Sequence, residues 1–242
     1  MLEHASDHPK AQPDERARQR PTWASAWRSP AARLLIALLL YIIIAPFLIP
    51  FRHGQIVSSV LLTVVLVNAA LAMGNGQWTR VAARSLLLLA LVTRWLAQWR
   101  PGLLPPEIFP ATALLFIGFV FVSVFGSILR APEVNSETLC AGVGGYLLLG
   151  LFWAFSYTLL ASLSPDAFAV ASRPAWPRSE MKGFTAIFFS YVTLSSVGSG
   201  DIVPVSPVAQ MLSMIEAMVG AFYMAVMIAR LVALHSSKKQ QG

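Results

Sequence analysis

Thr193-Leu194-Ser195-Ser196-Val197-Gly198-Ser199-Gly200-Asp201, followed by Ile202-Val203-Pro204, lies between two long apolar stretches. Glycine alternates here with small hydroxyl and β-branched residues. Because Gly adopts positive φ about as readily as negative, such a backbone is able to turn successive carbonyl oxygens to one side. Strands of this kind gathered around an axis replace the water shell of a dehydrated alkali cation. Irregular backbone at membrane depth is tolerated only where protein surrounds it or it lines a wet cavity. The stretch therefore predicts a re-entrant loop.

The rest of the chain supplies the membrane. Hydrophobic residues make up 56% and charged residues only 12%, whereas a soluble domain carries about a quarter charged residues. Stretches long enough to cross a bilayer as a helix, about 17 to 25 residues, run Leu34 to Pro50, Gln55 to Met73, Val81 to Trp99, Ala111 to Leu129, Ala141 to Leu163 and Pro207 to Leu234. Arg84 and Arg94 interrupt the third, and the sixth is long enough to continue beyond the membrane surface. The fold class is thus all-α integral membrane: six transmembrane helices, with a short re-entrant helix and loop between the fifth and sixth. Residues 1–33 are expected to be a basic cytoplasmic arm, 34–130 a four-helix transmembrane region, 141–234 a helix–loop–helix unit, and 235–242 a cytoplasmic tail.

The formal charge of +7 belongs to residues that flank spans, so it orients the chain and does not indicate nucleic acid. With the N-terminus inside, Lys10, Arg16, Arg18, Arg20, Arg28, Arg33, Arg80, Arg84, Arg130, Arg230, Lys238 and Lys239 face the cytoplasm. Arg52, Arg100, Arg173, Arg178 and Lys182 face the other side. The excess predicts cytoplasmic termini in a plasma or bacterial inner membrane, with the loop between spans five and six outside. That loop, Ser164 to Ser206, is the only long connection. Ser164-Pro165-Asp166 and Pro174-Ala175-Trp176-Pro177 break structure in it, and Gly183 to Leu194 forms an apolar helix too short to span. The lone Cys140 reads as a small apolar side chain.

The quoted stretch resembles the signature of the potassium-channel superfamily, Thr-x-x-Thr-Val-Gly-Tyr-Gly-Asp, with Ser196 for the second Thr and Ser199 for the Tyr. Pro204, Pro207 and Gly220 stand at positions common in that family, and the likeness covers Phe184 to Leu234. It implies ion-coordinating carbonyls from Ser196, Val197, Gly198, Ser199 and Gly200, with potassium held at the carbonyls of Ser196 through Ser199. It also implies pore-helix support from Phe188, Phe189 and Thr193, Asp201 at the outer mouth, and a gating hinge at Gly220. In the family the filter Tyr packs and hydrogen-bonds against pore-helix aromatics, commonly Trp-Trp. Here Phe188-Phe189 have no N–H and Ser199 has no ring. A selectivity set by a rigid cavity would be lost, whereas one set by carbonyl number and field would be kept.

One filter strand per chain implies a homotetramer. Asp201 has the alternative of a turn or helix-capping residue, and Gly220 that of a close-packing glycine. Glu216, within the sixth span, is an intramembrane acid: it lines the inner vestibule, bonds behind the filter to Ser195 or Thr193, or is a buried structural Glu. Arg94, beside Trp95 and Trp99, is expected to snorkel to the interface. The fourth span carries no Arg, so no charged voltage sensor is expected. The expected function is a passive potassium channel subunit, not an enzyme, with no cofactor besides the permeant ion and no partner besides itself and the bilayer. The alternatives are a weakly selective cation channel and a non-conducting pore-like interaction subunit.

Overall fold

The computed structural model describes residues 29–48, 51, 54–72, 77–100, 102–131, 136–170 and 181–239. Six helices in it are long and apolar enough to cross a membrane. The first span, Pro30–Leu48, joins α1 (Pro30–Ile44) to a 3-10 turn; the others are α2 (Gly54–Leu71), α3 (Gln77–Trp99), α4 (Ile108–Arg130), α5 (Ser136–Leu163) and the Pro207–Arg230 part of α7 (Pro207–Lys239), with the short α6 (Phe184–Leu194) before the last. The chain is a multi-pass membrane protein. At about 1.5 Å per residue, the 11 residues of α6 cover roughly half of the ~30 Å hydrocarbon core.

Helix ends move relative to the sequence expectation, each for a local reason. α1 begins at Pro30 because the Ser29 side chain accepts the Ala32 N–H at 3.2 Å and Pro30 needs no amide partner. The expected arm therefore ends by residue 29, and residues 1–28 lie outside the described residues. Pro46 removes an amide, and the chain tightens into a 3-10 turn over Ala45–Leu48. α5 starts at Ser136, ahead of the expected Ala141. α7 has no Gly or Pro after Gly220 and stays helical through Lys239, so most of the expected tail at 235–242 is helix. Arg52-His53, Arg173, Pro174-Ala175-Trp176-Pro177 and Arg178 lie outside the described residues.

α5 is the hub. Of its span 56% is buried, against 22% for α7 and 17% for α3; α1, α4, α6 and α7 all pack against it. Tyr157, Leu148 and Leu151 of α5 and Phe116 and Ile117 of α4 are among the largest fully buried side chains. A two-stranded antiparallel sheet was not expected from the sequence. In it β1 (Phe168–Val170) pairs with β2 (Ile202–Pro204) in the register Phe168 to Pro204, Ala169 to Val203 and Val170 to Ile202. The Val205 and Ser206 amides also donate to the Ala167 carbonyl, at 2.9 and 3.2 Å. The sheet ties the start of the long loop to its end and so brackets α6.

Candidate pore helix and filter segment

α6 is held by polar anchors on its buried face. Ser190 Oγ lies 2.7 Å from the Gly150 carbonyl of α5 and 2.6 Å from Glu216 Oε1 of α7. A serine has one proton, so these two oxygens compete for it. Tyr157 of α5 donates to the other carboxyl oxygen of Glu216. Tyr191 donates to the Leu147 carbonyl at 2.5 Å, its ring filling the notch left by Gly150, where a Cβ would strike it. Below this, Tyr223 of α7 donates to the Gly142 carbonyl at 2.6 Å. Side chains of α6 and α7 thus reach main-chain carbonyls of α5. Satisfied polar groups in a low-dielectric interior fix one arrangement, because leaving any of them unpaired is costly.

Glu216 is fully buried. Among the sequence readings the vestibule and the bonds to Ser195 or Thr193 are therefore set aside: its partners are Ser190 and Tyr157. Gly220, one turn on, lies against the end of α6, where a Cβ would fall on the Leu194 carbonyl. The structure gives Gly220 a packing role, and α7 runs through it unbroken. The buried face of α7 is Ala209, Glu216, Gly220, Tyr223 and Met227, while Met214, Met218 and Phe222 are exposed.

The segment after α6 folds back on the helix end. The Ser196 amide donates to the Thr193 carbonyl at 2.9 Å, and the amides of Val197 and Gly198 both reach the Val192 carbonyl at 2.9 Å. Ser196 (φ 59) and Gly198 (φ 76) are in the left-handed region. Gly200 is not, so the segment uses positive φ at one of its two glycines. Positive φ at a serine costs about 1–2 kcal/mol and is offset here by the bonds to the helix end. Ser195 through Gly198 and Gly200 are exposed, Val197 at 76%, while Ser199 and Asp201 are half-buried. Ser199 Oγ donates to the Ile202 carbonyl at 3.0 Å.

Residues 144–236 match the family described as "Ion channel". They form an ion-channel domain. The match bears out the potassium-channel-superfamily resemblance as a pore domain and extends it back from Phe184 to Gly144 in α5. No curated protein and no solved structure matches the chain.

Within the channel domain the two candidate support rings part company. Phe189 is buried against Tyr157, 4.9 Å between centroids and edge-on, and against Phe168 at 5.7 Å. It braces α6 on α5 and β1. Phe188 is 39% exposed and neighbours Phe184. Thr193 is half-buried at the helix end. Tyr157, Ser190 and Tyr191 were missed in the sequence, although a buried acid signals that donors must exist nearby. Arg94 also departs from expectation: it does not snorkel outward but turns into the bundle, donating to Ser59 Oγ at 2.6 Å.

Proposed function

We propose that the protein is the subunit of a homotetrameric cation channel that passes potassium down its gradient. Ser196, Val197, Gly198, Ser199 and Gly200 supply the coordinating oxygens, Asp201 stands at the outer mouth, and both termini are cytoplasmic. One observation carries this reading. Ser195 through Gly198 and Gly200 are exposed on the single chain while the helix that delivers them is buried and hydrogen-bonded on its other side. A rigidly held strand with an uncovered face suits closure by further copies around an axis, since one strand cannot encircle an ion. The exposed Met214, Met218 and Phe222 of α7 support the same arrangement, as surfaces for neighbouring subunits or the pore wall. Gly220 acts as a hinge in this reading only if α7 bends there on opening.

A second reading, weak selectivity, is favoured by Ser199. Its hydroxyl serves the Ile202 carbonyl, and Phe189 is committed to Tyr157, so the aromatic brace of the family has no counterpart here. Bi-ionic reversal potentials of the reconstituted protein separate the two. A strong preference for potassium over sodium supports the first reading and near-equal permeation the second. Absence of flux for both cations from correctly assembled protein overturns conduction and leaves a pore-like interaction subunit.

A further inference from the structure

A cavity of about 460 Å³ opens between the four-helix region and the channel domain, at the end of the bundle where the pore loop sits. Its walls come from α1 to α6, and its lining includes Leu62, Leu104, Phe109, Leu151, Phe155 and Ile187. That volume lies in the range of small-molecule sites, about 300–1,000 Å³. Into this apolar cleft projects Arg94. One guanidinium nitrogen donates to Ser59, the group lies 4.9 Å over the Phe109 ring, and Nε is buried with no hydrogen-bond partner. Among the described residues that line the cavity there is no Asp or Glu, and Lys182 adds a second cation at its exposed rim.

A guanidinium within a membrane span that meets no carboxylate among the described residues is costly; a hydroxyl and a ring face compensate only part of it. A bound anion would complete the fork that Arg offers to carboxylate or phosphate. The mostly apolar walls disfavour a small hydrated anion and suit an attached hydrocarbon chain, which a cavity at membrane depth can draw from the bilayer. We propose that this cavity binds an anionic amphiphile, its head oxygen on Arg94 and its chain along the Leu62–Phe109–Phe155 wall. The site is separate from the filter segment and does not depend on conduction.

The test uses the full chain, purified in a neutral detergent, stripped of lipid and titrated with four probes: oleate, a phosphatidylglycerol, a phosphatidylcholine and inorganic phosphate. Thermal stabilisation and retained adducts in native mass spectrometry are the readouts. Oleate or phosphatidylglycerol is expected to bind and stabilise; binding of oleate alone identifies a free fatty acid as the source, and of phosphatidylglycerol alone a phospholipid headgroup. Arg94→Gln should weaken the effective probe about tenfold or more, the loss of one charge-assisted contact. Arg84→Gln, at an exposed site on the same helix, should not weaken it. Should Arg94→Gln fail to fold, Ala97→Phe fills the cavity with Arg94 intact and should exclude the probe. Unchanged binding in Arg94→Gln or in Ala97→Phe overturns the proposal. Equal stabilisation by phosphatidylcholine, or full stabilisation by phosphate alone, overturns it as well.

Discussion

Glu216 and Arg94 both belong to membrane spans, and the chain treats them in opposite ways. Glu216 in the channel domain is sealed from solvent and contacted from α5 and α6 by Tyr157 and Ser190. Arg94 in the four-helix region meets one hydroxyl and one ring, leaves a nitrogen unpaired and borders a cavity. Charge alone at membrane depth therefore does not distinguish a structural clasp from a ligand site. The distinction lies in whether the surrounding donors and acceptors close the group's hydrogen bonds. Where they close, three helices are fixed together; where they do not, room remains for something else.

The sharpest way to break this comparison is to open the clasp. Glu216→Ala leaves Tyr157 and Ser190 without their shared acceptor and a hole between α5, α6 and α7. A loss of about 3 kcal/mol or more is expected, read as a large drop in the melting temperature of the detergent-solubilised protein. Glu216→Gln keeps the shape and one acceptor and should recover much of it. Equal losses in both variants would mean that the carboxylate itself, and not the filled and bonded site, holds the helices.

Gly220 sits one turn from the clasp, and its variant sharpens the same contrast. Gly220→Ala forces a Cβ onto the Leu194 carbonyl, and overpacking of this kind costs about 1–3 kcal/mol. A packing role predicts lower thermal stability together with altered flux, because Leu194 ends the helix that delivers the filter segment. A pure hinge predicts changed opening at unchanged stability. Measuring melting temperature and single-channel open probability on the same preparation separates the two.

How much of this was legible beforehand follows from the kind of signal involved. The six spans and the short α6 are written in runs of apolar residues, which is a local property, and Ser195-to-Asp201 is a local motif; both survive in one dimension. The partners of Glu216 were not legible, since Tyr157 lies 59 residues and Ser190 26 residues away. Only the fold brings them together. Phe188 and Phe189 were paired by adjacency, yet helical geometry turns neighbours about 100° apart, so one is buried on α5 and the other is exposed. The β1–β2 pairing rests on short runs without a strand pattern of their own.

The filter glycines test the local motif directly. Gly198 has φ 76, so Gly198→Ala should cost about 1–2 kcal/mol of backbone strain and sharply reduce flux in liposomes. Gly200 lies outside the left-handed region with open space around it, so Gly200→Ala should be tolerated much better. Equal loss of flux in both would mean that the conducting assembly holds the segment differently from the single chain.

The smallest expected effect concerns Ser199, whose hydroxyl donates to the Ile202 carbonyl three residues on. Ser199→Tyr gives up the bond to the Ile202 carbonyl, worth about 1 kcal/mol, and supplies a ring. Alone it should raise the potassium-to-sodium permeability ratio little, because a phenol without a partner remains loosely held. Phe189→Trp is a poor second change, since its ring is wedged between Tyr157 and Phe168 and the larger indole would press on the clasp. Phe188 is the better site: it is partly exposed, and a Trp there offers an N–H with room to move. The Ser199→Tyr, Phe188→Trp pair should therefore sharpen selectivity by more than the sum of its parts, as expected of neighbours in one packed unit. Permeability ratios for wild type, both single variants and the pair settle it. A wild type already strongly selective for potassium would show that the backbone oxygens suffice, and the pair should then leave the ratio unmoved.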